Sequence, residues 1–150
     1  MQVDIDKVDP ITGELVRTKD LVVGTFGVRL GMIGGRGELT IAVPLSGEHG
    51  FTVPPGKNLI VKLVNGDTLH YAHINTSTPT TQMHRAGTAT VSASVVTTYM
   101  MTYHVDERFY ALLSEHDVEL FRILLNGNPI DAVVGKKDGQ RIRKFSECLK

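Results

Sequence analysis

The stretch that decides the fold is residues 88–105, TATVSASVVTTYMMTYHV. Ala89, Val91, Ala93, Val95, Tyr99, Met101, Tyr103 and Val105 occupy one phase of a two-residue period. Thr88, Thr90, Ser92, Ser94, Val96, Thr98, Met100, Thr102 and His104 fill the other. That alternation marks a half-buried β-strand. Fully extended, the run would reach roughly 60 Å at ~3.3 Å per residue, too long for a small sheet. A bend, bulge or break near residues 96–98 is therefore expected, with the two parts serving different hairpins or sheets.

The same period recurs on both sides. In GELTIAVPL (37–45), Leu39, Ile41, Val43 and Leu45 face one way. Pro44 cannot donate to a ladder, so this strand should end there or lie at an edge. NLIVKLVNGDTLHYAHI (58–74) reads as a hairpin whose Asn65-Gly66 suits a type I′ turn. VELFRILL and IDAVV flank Asn126-Gly127 as a second hairpin. Upstream, Val22, Phe26, Val28, Leu30 and Met32 fall in one phase, and GMIGGRG (31–37) is best explained as a hairpin turn. VDPITGEL is a turn set by Pro10 and Gly13.

Helical spacing comes only late. Asp106 can cap a short helix through Ser114 that turns Phe109, Leu112 and Leu113 inward. Ile142, Phe145 and Leu149 mark a basic C-terminal helix over 138–149. The expected fold is mainly β: an antiparallel β-sandwich or barrel-like domain over 21–150, with one short helix and a C-terminal helix. Residues 1–20 form an N-terminal arm or hairpin. Residues 75–87, NTSTPTTQMHRAG, lack any period and read as a long loop. Loops of that length are uncommon unless functional. That loop and the N-terminal segment are expected to be mobile alone and ordered where a neighbour covers them.

One further pattern supports this reading. Tyr103-His104-Val105, an acidic-capped short helix, then Phe121-Arg122-Ile123, resembles the C-terminal half of uncharacterised small β-rich proteins from gut bacteria. The resemblance covers about the last third of the chain. It implies a β-rich fold finished by a helix and brings no active site with it.

Charge and composition narrow the function classes. Sixteen basic residues balance sixteen acidic ones, so no global field draws the chain to nucleic acid or anionic lipid. The exception is the end, where Lys136, Lys137, Arg141, Arg143, Lys144 and Lys150 face only Asp138 and Glu147. Apolar residues interrupt that cluster at helical spacing, which favours a solvated helix face over a phosphate-binding surface. A single cysteine, Cys148, excludes an internal disulfide, and its spacing to Phe145 suggests a buried apolar contact. No run approaches the ~20 apolar residues of a spanning helix. The N-terminus as written carries no signal-peptide pattern, so the expected place is the cytoplasm or an assembled particle.

Catalytic and metal signatures are missing. Ser114 lacks a Gly-x-Ser-x-Gly context, and His104 and His116 have no nucleophile at a motif spacing. His70 and His73, three apart on a strand, point to opposite faces and cannot chelate one ion. Neither a cofactor nor a metal is expected. The first expectation is a non-enzymatic structural or protein–protein interaction module, a subunit of a larger assembly such as a phage particle. Its partner is protein, through self-association or other assembly subunits, with no membrane and no nucleic acid. The candidate partner surface is Thr80, Thr81, Met83, His84 and Arg85. The alternative is a small-ligand-binding β-sandwich lined by Tyr71, Tyr99, Met100, Met101 and Tyr103; an enzyme with a dispersed site ranks behind both.

Overall fold

The computed structural model describes residues 5–86 and 92–149, with backbone alone at 83–86 and 92–94. Among the described residues there are ten strands: β1 (Ile5–Val8), β2 (Leu15–Val23), β3 (Phe26–Ile33), β4 (Arg36–Ser46), β5 (Gly56–Leu63), β6 (Thr68–His73), β7 (Thr80–Ala86), β8 (Ser92–Val105), β9 (Val118–Leu125) and β10 (Asn128–Val133). Helix α1 (Glu107–Glu115) separates β8 from β9, and α2 (Lys136–Cys148) follows β10. The strands form one antiparallel sheet in the order β1-β2-β3-β4-β8-β6-β5-β9-β10, with β7 beside β8. The sheet is sandwich-like and does not close into a barrel. Its remote parts still meet, because a Cβ built on Gly24 in the β2–β3 turn would lie 3.4 Å from Ala132 in β10.

Strand β8 is the spine. It runs unbroken for 14 residues, contrary to the expected break, because its length is shared among partners. β4 pairs along its second part from Ser46↔Val96 to Gly37↔Val105, β7 along its first part, and β6 only at His73↔Tyr103. At Pro44 the strand does not end but does lie at an edge, the second of the two expected outcomes: β4 continues through it to Ser46 with β8 on one side and β3 no longer paired on the other. Its missing N–H is harmless. Even-numbered residues of β4 face β3, and the last such pairing is Gly27↔Ala42, so at Pro44 no strand is left to receive a donor.

The inward phases of the strands meet in one core. Phe26, Leu30, Leu39, Ile41, Tyr99, Tyr103, Phe121 and Ile123 are fully buried there, and Phe109 and Phe145 bring both helices onto it. Each such side chain contributes ~1.5–3 kcal/mol from area removed from water. Val22 does not join Phe26 as its sequence phase suggested. Gly24 and Thr25 make a two-residue turn pairing Val23 with Phe26, which reverses parity and leaves Val22 73% exposed.

Turn chemistry follows residue type. Asn126 and Gly127 both take positive φ (50° and 79°), as a type I′ hairpin requires. At Asn65-Gly66 only the glycine does so, which corrects the I′ expectation. There the connection spans Val64 to Asp67, and the Asn65 side chain accepts from the Asp67 N–H at 3.1 Å. The cap on α1 is as read: Asp106 Oδ1 accepts from the Phe109 N–H at 3.1 Å. Helix α2 begins at Lys136, earlier than the apolar spacing indicated, with Asp138 in its first turn. Its buried stripe is Ile142, Phe145 and Ser146, and Ser146 Oγ donates to the Ile142 carbonyl at 2.8 Å. That phase leaves Cys148 exposed, against the expected buried contact.

Candidate interaction surface

The five residues singled out as a partner surface lie on strand β7, not on a loop. Backbone geometry shows which of them offer hydrogen bonds. The Val95 carbonyl accepts from Gly47, just past β4, at 2.8 Å. On the other side of β8, the Thr102 carbonyl accepts from Ile74 at 3.2 Å and the Met100 carbonyl from Ser77 Oγ at 2.8 Å. Successive residues of a strand turn their backbone groups to opposite sides. Odd-numbered residues of β8 therefore face β4, and even-numbered ones face β7. The register Thr80↔Thr98, Gln82↔Val96, His84↔Ser94 then commits the backbones of Thr80, Gln82 and His84 to β8. The N–H and C=O groups of Thr81, Met83 and Arg85 point the other way. No strand lies beyond them among the described residues.

The pair β7–β8 also outruns the sheet. β4 ends at Ser46↔Val96, so Ser92, Ala93 and Ser94 have β7 as their neighbouring strand and, among the described residues, no third strand beside them. A two-stranded ribbon without a third strand is marginal in water. Its base, in contrast, is fixed. Thr97 is fully buried, its hydroxyl donates to the Gly47 carbonyl at 2.7 Å and accepts from the His49 N–H at 3.1 Å. Thr81 Oγ1 lies 3.3 Å from the same hydroxyl. Tyr99 donates to the Phe51 carbonyl at 2.6 Å and stacks on the Phe51 ring at 4.7 Å. Thr80 and Thr81 are both exposed and sit in opposite phases of the pleat.

Several concave regions lie elsewhere, two of which are lined by both β2 and β3. A groove of about 500 Å³ runs between β2–β3 and α1, lined by Leu15, Arg17, Met32, Tyr110, Ala111 and Leu149. Its floor is rigid: the Tyr110 hydroxyl is 2.8 Å from both the N and O of Gly31 and 3.0 Å from the Glu38 carbonyl. Burial pushes the Tyr110 pKa upward, so the hydroxyl stays neutral and acts as a structural pin. The second region lies on the outer sheet face, where Val22, Gly27, Ala42 and Met100 form one cross-strand row.

The remaining sequence candidates are dispersed. Tyr99, Met101 and Tyr103 are buried core residues, while Met100 is 63% exposed on the opposite face. Those residues therefore do not line one cavity with Tyr71, because adjacent strand residues face opposite ways. His70 is exposed and His73 is 2% exposed, on opposite faces as the spacing required. Neither ring nitrogen of His73 has a hydrogen-bond partner among the described residues. His116 caps the end of α1, and Ser114 Oγ donates to the Ala111 carbonyl at 2.7 Å. Among the described residues, no three His, Cys, Asp or Glu are grouped to hold a metal ion. Two cations of the basic helix are ion-paired, Arg141 with Asp138 at 3.6 Å and Arg143 with Asp117 at 3.3 Å. No helix among the described residues is long and apolar enough to cross a membrane.

Compared with known protein families, curated proteins and solved structures, the chain matches none. Sequence missed the open backbone edge because the signal is topological: it depends on which strands β8 pairs with.

Proposed function

We propose that this chain is a non-enzymatic interaction module, a building block that joins protein neighbours in a larger assembly through the β7–β8 ribbon. One observation carries this reading. The ribbon runs past β4 with a backbone edge that no strand pairs among the described residues, while its base is tied into the core through Thr97 and Tyr99. A rigid base with an open edge suits strand addition, in which main-chain hydrogen bonds supply affinity and side chains supply selectivity. The tyrosine hydroxyls are committed to backbone carbonyls or to Asn58 and Asp106, which leaves little for chemistry on a substrate. The groove beside α1, at about 500 Å³, is of ligand size and supports a second reading as a small-molecule site.

The test is native mass by light scattering across concentration, paired with a ribbon variant. Replacing Met83, His84 and Arg85 together by Gly or Ser should weaken association by at least ~10-fold and leave the melting temperature of the monomer nearly unchanged, since a two-stranded ribbon adds little stability. A clean monomer at every concentration, with no effect of the triple change, would move the reading to the groove. Unfolding of the triple variant would place these residues in the core and contradict the proposal.

A further inference from the structure

We infer that the open edge of β7 is filled by β7 of a second copy of this chain, antiparallel and centred on Met83, joining two sheets into one across a two-fold axis. This rests on the interaction reading above and names its partner.

The length of the edge selects the occupant. At one end the edge is closed, because Ser77 exchanges backbone hydrogen bonds with Val53 at 3.0 and 2.8 Å. Pro79, in the same backbone phase, has no N–H to offer. Within β7 the outward-facing residues are therefore Thr81, Met83 and Arg85, evenly spaced about Met83. An antiparallel copy satisfies all three only when Met83 opposes Met83, Thr81 opposes Arg85 and Arg85 opposes Thr81. Centring on Arg85 instead would set two arginines directly opposite each other, a like-charge pairing that strands avoid. Centring on Thr81 would drive Arg85 onto the position of Ser77, which Val53 already occupies. In the Met83 register the in-between pairs are Gln82 with His84, so no like charges meet. The open edge is self-complementary.

The other single-partner strands are less suited. β10 carries Pro129 and Asp131, and β1 has four residues with Asp6 and Lys7 among them. Proline and charge are the devices that blunt an edge. β7 carries no proline and a single charged residue, Arg85, which in the Met83 register faces Thr81.

The experiment is sedimentation velocity on the full chain, with the melting temperature of each variant measured as a folding check. Thr81→Lys places a cation opposite Arg85 of the second copy, twice per dimer, and should raise the dissociation constant roughly 3- to 10-fold. Thr81→Glu places a carboxylate there and should lower it by a similar factor. Met83→Pro removes the central donor on the solvent side of an edge strand, where proline is tolerated, and should weaken the dimer at least ~10-fold. Opposite shifts for Lys and Glu with monomer stability retained support the pairing. An oligomer that ignores both charges and Met83→Pro but is lost in the Gly/Ser triple variant overturns the β7 pairing and leaves the interaction reading standing. A wild-type chain that stays monomeric at millimolar concentration overturns both.

Discussion

Phe109→Ala is expected to remove ~3–5 kcal/mol of folding free energy, the largest loss of the substitutions considered. Phe109 is fully buried on α1 and meets Tyr71 edge-on at 5.3 Å and Tyr110 at 5.0 Å. Tyr71 belongs to β6, and the Tyr110 hydroxyl reaches β3 and β4, so this ring is where the helix locks two parts of the sheet together. Removing it deletes apolar burial, two aromatic contacts and the support for the Tyr110 pin. The neighbouring exposed Arg108 supplies the control, since Arg108→Ala should change stability by less than ~0.5 kcal/mol. Chemical denaturation checks both. Equal midpoints for the two variants would mean that α1 is not packed on the sheet.

Gly37→Ala should cost about 2–3 kcal/mol, by overpacking rather than by leaving a cavity. A Cβ at Gly37 would lie 2.7 Å from Val105 Cγ2, 2.8 Å from the Val105 carbonyl oxygen and 3.3 Å from the Tyr110 ring. The carbonyl is backbone held in the Gly37↔Val105 pair, so it cannot step aside without opening the β4–β8 ladder. Gly50→Ala makes the comparison, because a Cβ there meets nothing within 4 Å and should be close to neutral. A Gly37→Ala protein as stable as Gly50→Ala would refute the β4–β8 register. That register places β8 as the spine, and with it the projection of the ribbon.

The parts of the fold that bury apolar side chains were legible from sequence. Leu39, Ile41 and Val43, the inward phase of β8 from Tyr99 to Val105, and the Asp106-capped helix all follow from period and capping chemistry. Gly34 and Gly35 of GMIGGRG make a hairpin turn, as read, both at positive φ, while Gly31 and Gly37 lie in β3 and β4. Their neighbour Gly37 has a second role that no local pattern reveals, because Val105 and Tyr110 come from distant sequence. Strand β7 was missed for a different physical reason. TTQMHRA has no hydrophobic alternation, and the backbone hydrogen bonds that hold it against β8 carry no sequence period. The candidate residues were chosen for the polarity and length of 75–87, a signal that carries neither their strand conformation nor their open edge. Cys148 and Val22 were misplaced by choosing between adjacent phases, which Ser146 in one case and a two-residue turn in the other decide.

Hydrogen exchange resolved at single amides of β7, in dilute and in concentrated full-length protein, tests the interaction surface most directly. The N–H groups of Gln82 and His84 face β8, and those of Thr81, Met83 and Arg85 face the open edge. The expected result is that the three edge amides exchange freely in dilute protein and become protected on concentration, while Gln82 keeps the same protection at both. Edge amides that exchange alike at the two concentrations, while light scattering shows the chain associating, would contradict the assignment of β7 as the joining strand.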